Sequence, residues 1–151
     1  MSILFINGGE KNGNTNRMGH ELIGKHPYKQ IDLADTKVYD YGQVFAREDD
    51  DQFDEVLEAV QAADTIIMGS PVYWHNLSGM LRNLLDRFYG PVPEGSLTGK
   101  RLFFVFQGAA PSADMLRWGE YTMSRFAGLY GMAYEGMAST TSEARKLGER
   151  L

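Results

Sequence analysis

The chain has 151 residues, 43% of them hydrophobic, and 15 Lys and Arg against 20 Asp and Glu give a formal net charge of -5. That length carries one core without staples, and the absence of Cys excludes disulfides, thiolate metal sites and cysteine nucleophiles. An acidic balance with pI near 5.2 offers no positive surface for nucleic acid or anionic lipid, which leaves small molecules and proteins as the natural partners.

Ser2 to Asn7 (SILFIN) is a nearly unbroken apolar run, the pattern of a parallel strand covered on both faces. It has no basic flank and no cleavage-type ending, and no apolar run approaches the ~20 residues of a membrane span, so a cytoplasmic chain is expected. A helix is predicted from about Asn16 to Lys25 and a strand over Lys29 to Leu33 (KQIDL). Phe53, Val56, Leu57 and Val60 then repeat at helical spacing behind an acidic start at Asp49, Asp50 and Asp51, where a helix's positive end favours carboxylates.

Thr65 to Gly69 (TIIMG) reads as a second buried strand. After it, Leu77, Met80, Leu81, Leu84, Leu85 and Phe88 form one apolar stripe opposite Ser78, Arg82, Asn83, Asp86 and Arg87, with Asn76 as the candidate N-cap. Lys100 to Phe106 (KRLFFVF), a helix from Ser112 to Tyr130, a strand over Met132 to Met137 and a helix over Ser142 to Leu151 complete the chain. Five strands, each followed by a helix, predict one α/β domain over 1–151, a right-handed doubly wound parallel sheet with helices on both faces.

In such a sheet, ligands bind at the carboxyl ends of the strands. Three segments qualify: Asn7 to Asn16, Ser70 to Asn76 and Gln107 to Ser112. The first, with three glycines and several small amides, leads into a helix and would turn backbone N–H groups and the Thr15 hydroxyl toward a phosphate. It is not a Walker A loop, because Asn14 stands where the Lys must be. Nor is it a dinucleotide fingerprint, since Glu10 occupies the second Gly position. Asn7 and Ser70 replace the acidic residues of a receiver domain, and a phosphatase-type loop would need Cys. In the second segment, Pro71, Tyr73 and Trp74 suit a flat, partly apolar ring, while His75 reads as solvent-facing. In the third, Gly108 lets backbone amides approach a ligand.

NGGEKNGNTNR followed by GSPVYWHNLSGMLRNLLDRF resembles the NAD(P)H-dependent FMN reductases of the flavodoxin-like fold, with Ser70, Pro71, Tyr73, Ser78, Gly79, Asp86 and Arg87 matching the family's second motif. The likeness spans Ile3 to about Ser139. It implies a sheet of order 2-1-3-4-5, with FMN and NAD(P)H as cofactors. It also implies that Asn12, Gly13, Asn14 and Thr15 hold the FMN phosphate, with Asn16 completing that loop; that Ser70, Pro71, Val72, Tyr73 and Trp74 line the isoalloxazine; and that Gln107 and Gly108 meet its far side. Asp86 and Arg87 are expected to pair structurally. Gly8 and Glu10 replace the family's Ser and Arg, and Lys37 to Gly42 lacks the cysteines of an iron-sulfur relative, so no metal is expected.

The implied activity is hydride transfer from NAD(P)H through flavin N5 to a quinone, a nitro- or azo-aromatic compound or free flavin. No catalytic side chain is named, because the cofactor carries the hard step; backbone N–H groups near Gly108 would stabilise charge growing on the ring. The alternatives are a flavodoxin-type electron carrier and a flavin-free ligand-binding domain. A homodimer or homotetramer is expected, with Met115, Trp118, Tyr121, Met123, Phe126 and Tyr130 supplying more apolar surface than one helical face needs.

Overall fold

The computed structural model describes residues 1–42 and 50–151. The central sheet forms from chain segments that have little alternative to burial: in β1 (Ile3–Asn7) all five residues are buried, as are the five inner residues of β5 (Arg101–Gln107). With β2 (Lys29–Asp32), β3 (Thr65–Tyr73) and β6 (Ala133–Ala138) they build a parallel sheet of order β2-β1-β3-β5-β6. That is the doubly wound flavodoxin-like order expected from the sequence. One strand is added: β4 (Asn76–Leu77) pairs antiparallel with the end of β3.

Among the described residues, five helices cover the two faces. Helices α2 (Phe53–Ala62), α3 (Gly79–Phe88) and α4 (Ala113–Tyr130) enclose the larger cluster, around Ile66, Leu81, Phe88 and Phe104. Helices α1 (Asn14–Ile23) and α5 (Thr141–Gly148) enclose the smaller one, around Phe5, Leu22, Ile67 and Phe103. Gly19 and Gly119 let α1 and α4 settle against aromatic rings. A Cβ on either would stand 2.2 Å from Phe5 or Phe106.

The α2 start differs from expectation. Gln52 is its N-cap and Phe53 its first residue, so the aspartates precede the first turn, where Asp54 and Glu55 lie instead. Asp51 turns inward to Arg87, at 3.0 and 2.5 Å, with both side chains under 10% exposed. Asp50 reaches Lys37 and the Tyr39 hydroxyl. Asp49 lies outside the described residues. The Arg87–Asp51 pair also corrects the expected Asp86–Arg87 pairing: residues adjacent on a helix point to different sides, and Asp86 is exposed. At the α3 start Ser78, not Asn76, is the cap, its Oγ accepting from Leu81 N at 3.2 Å.

Candidate functional site

The second predicted loop is mostly strand. β1 ends opposite Gly69, so β3 continues with a partner on one side only, where a proline can stand. Ser70 pairs with Phe106 and Pro71 with Gln107. The chain then reverses through Trp74 and His75, both with positive φ, at 46° and 65°. These are the backbone angles of a type I′ hairpin, carried here by two bulky residues.

Asn7 sets the shape of the first loop. It is fully buried, and its amide makes every bond available nearby: Nδ2 donates to Asp32 Oδ1 at 2.8 Å and to the Glu10 carbonyl at 3.2 Å, and Oδ1 accepts from Gly9 N at 3.1 Å. Gln30 Nε2 extends the network, donating to Asp32 Oδ1 and to Asn16 Oδ1, both at 2.9 Å. On the other flank Gly8 N donates to the Gly69 carbonyl at 2.8 Å and Ser78 Oγ donates to the Gly8 carbonyl at 2.6 Å. A Cβ on Gly8 would stand 2.7 Å from the Gly69 oxygen, so the loop has no room for the serine that the family places there.

These constraints bring three strand ends to one groove of about 330 Å³. Glu10, Gly13, Asn14 and Thr15 line one wall, Pro71, Val72 and Tyr73 another, and Gln107, Gly108 and Ala109 the third. Gln107 Nε2 donates to Thr15 Oγ1 at 3.1 Å, tying the first wall to the third. Helix α1 starts at Asn14 after Gly13 with no side-chain cap, whereas Ser78, Ser112 and Thr140 cap α3, α4 and α5. Its first-turn N–H groups therefore remain for an anion.

Four predicted site residues stand elsewhere. Asn16 is buried and turned to Gln30. Asn12 is exposed outside the groove, its carbonyl accepting from Arg17 at 2.9 Å. Ser70 is buried, accepting from Ser78 N and donating to the Pro71 carbonyl, both at 2.8 Å. Trp74 is 94% exposed and borders an adjoining recess of about 300 Å³ with His75, Ala110, Pro111 and Met115; Val72, Gly108 and Ala109 are common to both cavities. Sequence reading did not assign Asn7 or Ser78 a role in shaping the site. Asn7 was detectable: a polar side chain closing a buried apolar strand must find partners, and the adjoining glycine turn is where they would be.

The family model for NADPH-dependent FMN reductase matches residues 1–142. The chain belongs to that family. Among curated relatives, an iron-sulfur flavoprotein of Archaeoglobus fulgidus is 32% identical over 98 residues, covering 58% of this chain and 48% of that protein. A protein of Bacillus subtilis strain 168 named as an NAD(P)H-dependent FMN-containing oxidoreductase is 28% identical over 94 residues, covering 58% and 52%. The chain thus spans about half the length of these relatives. A WrbA-like flavodoxin from Agrobacterium tumefaciens superposes with a TM-score of 0.67 at 19% identity, covering 99% of this chain and 92% of that one, a likeness of fold. The family's cofactor is FMN and its reductant NAD(P)H. Against that chemistry the groove fits: it presents an uncapped helix start, glycine backbone and neutral amides at one end and Pro71, Val72 and Tyr73 at the other.

Proposed function

We propose that residues 1–151 form one FMN-dependent NAD(P)H oxidoreductase unit, with the flavin in the groove at the ends of β1, β3 and β5. The observation that carries this reading is the junction of the walls: Gln107, at the end of β5, holds Thr15, in the first turn of α1. Gly13, Asn14 and Thr15 would hold the phosphate by N–H and hydroxyl donation. Pro71, Val72 and Tyr73 would face one side of the ring and Gln107 and Gly108 the other edge, where Gly108 leaves its backbone open. Asn16 and Ser70 act from behind this surface by fixing the segments that form it.

When bound, the flavin supplies two-electron chemistry, accepting hydride at N5 from NAD(P)H and delivering it to a small acceptor such as a quinone, a nitro- or azo-aromatic compound, or free flavin. The chain's own tasks are orientation and exclusion of water. The recess beside Trp74 shares Val72, Gly108 and Ala109 with the groove, and its Trp74, Pro111 and Met115 lining suits a flat aromatic acceptor. A cytoplasmic location is part of the same proposal; no helix among the described residues is long and apolar enough to cross a membrane.

The same reading includes a homodimer. Of the six apolar α4 residues singled out, Met123 and Tyr130 are core, Met115 and Phe126 are half-buried, and Trp118 and Tyr121 are 50% and 66% exposed. Beside them a cavity of about 460 Å³ runs between α3 and α4, with Arg82 and Asp86 on its wall. Neither has an ion-pair partner among the described residues. One cation and one anion set in an apolar face are self-complementary across a two-fold axis, Arg82 of each copy meeting Asp86 of the other. Gel filtration at dilute concentration tests it; elution as a lone chain overturns the dimer.

Titration of the purified protein with FMN at micromolar concentration, followed by anaerobic addition of NADH or NADPH, tests the activity. The expected result is fluorescence quenching on binding and rapid bleaching of the bound flavin by one of the nucleotides. A chain that fails to quench FMN overturns the cofactor assignment. Slow bleaching with a persistent radical would establish an electron carrier instead.

A further inference from the structure

The groove that is shaped for a phosphate carries a charge opposed to one. Glu10 is exposed on its wall, close enough to the helix start that a Cβ on Gly13 would lie 3.2 Å from the Glu10 Cβ. No Lys or Arg is among the residues lining the groove. The two cations of the same segment are already engaged: Lys11 pairs with Asp35, and Arg17, in a neighbouring cavity that shares Asn14 and Gln107 with the groove, donates to the Asn12 carbonyl at 2.9 Å and to Asn14 Oδ1. A phosphate monoester carries about -1.5 to -2 charges near neutral pH. It therefore meets peptide dipoles and neutral amides on a wall that also carries the acidic Glu10.

We propose that Glu10 is a specificity-determining residue that sets how tightly this chain holds the flavin phosphate. By opposing the N–H donors of the α1 start, it cancels much of the phosphate's contribution, so the groove distinguishes FMN from riboflavin only weakly and releases FMN readily. This rests on the flavin reading of the groove given above. A single charge facing a dianion across a solvent-exposed groove changes affinity by about 3- to 10-fold at low salt, and the effect is screened as salt rises. The Glu10 side chain is exposed and the loop bonds at this residue run through its carbonyl, to Asn7 Nδ2 and Gly13 N, so the loop shape survives its replacement.

Fluorescence-quenching titrations of FMN and of riboflavin against the apoprotein, for wild type, Glu10→Gln and Glu10→Ala, at low and high salt, test this. Both variants are expected to bind FMN about 3- to 10-fold more tightly at low salt, with riboflavin affinity changed less than about twofold and most of the FMN gain lost at high salt. FMN affinity equal to wild type in both variants, or an equal gain for the two flavins, overturns the role of Glu10 and leaves the cofactor reading standing. A wild-type chain that binds neither flavin overturns both.

Discussion

Gln107 donates its side-chain amide to the Thr15 hydroxyl at 3.1 Å, joining the ends of two elements 92 residues apart in sequence. Thr15 is almost fully buried, so its oxygen is held with one lone pair in use and its own proton free to donate into the groove. Thr15→Val keeps the shape and removes both functions. The expected outcome is an FMN affinity lowered by roughly tenfold, with a stability loss of about 1 kcal/mol, read by quenching titration and urea unfolding respectively. Unchanged affinity alongside the stability loss would make the hydroxyl structural only.

Replacing Gly8 by the serine its family carries is expected to damage this chain. The added Cβ would lie 2.7 Å from the Gly69 carbonyl and 3.0 Å from the Leu81 Cβ, and the first of these is backbone. Gly8→Ser should cost about 2 kcal/mol in denaturant unfolding, from overpacking and a displaced Gly8–Gly69 hydrogen bond. A neutral effect would mean that β3 yields at Gly69.

Trp74 and His75 occupy turn positions that favour Asn and Gly. Changing the pair to Asn-Gly should raise stability by about 1–2 kcal/mol, visible as a higher Tm, because the left-handed conformation costs bulky residues most. The same change should raise KM for aromatic acceptors if the exposed indole serves the adjoining recess. Higher stability with unaltered kinetics would assign the strain no part in turnover.

Arg87 and Asp51 carry the one long-range ion pair among the described residues with both side chains under 10% exposed, and Arg87 also donates to the Tyr39 carbonyl at 2.9 Å and lies over the Phe53 ring. Asp51→Asn should destabilise by about 3–5 kcal/mol, since it leaves a buried guanidinium without a counter-charge. A loss below about 1 kcal/mol would show the pair to be reachable by water.

Acid should weaken the β5–β6 edge. The guanidinium of Arg101 holds the Glu135 carboxyl below its usual range by hydrogen bonding, with Arg150 adding to the effect. Because the folded pKa lies below the unfolded one, the stabilisation is present above the unfolded value near 4.5 and is lost as pH falls through the folded value. Glu143, bonded by Ser139 and Thr140, moves the same way. Urea midpoints should therefore drop between pH 5 and 3, and Glu135→Gln should flatten that drop while lowering stability at pH 7 by roughly 1 kcal/mol. A parallel shift of the whole curve would exclude Glu135 as its source.

Strand positions were legible because nearly unbroken apolar runs suit strands covered on both faces, while the sheet order followed from the resemblance to the FMN reductases. The three ligand-bearing segments followed from the rule that sheet edges collect ligands at strand ends. What the sequence concealed was orientation within those segments. Ser70 and Asn16 lie in motif positions, yet their side chains face the scaffold, a distinction that depends on where β3 loses its neighbour β1 at Gly69. The partner of Arg87 was hidden for a similar reason: Asp51 is 36 residues away, far beyond the three- and four-residue spacings at which helix neighbours meet.

The bonds around Asn7 have a kinetic corollary. The segment from Gly8 to Gly13 takes its form from Asn7, Asp32 and Ser78, all of them scaffold, so its conformational entropy is surrendered during folding rather than at capture. Arrival of a flavin should consequently proceed in one exponential phase, linear in concentration and without a slow ordering step, and differences among ligands should reside in how fast they leave.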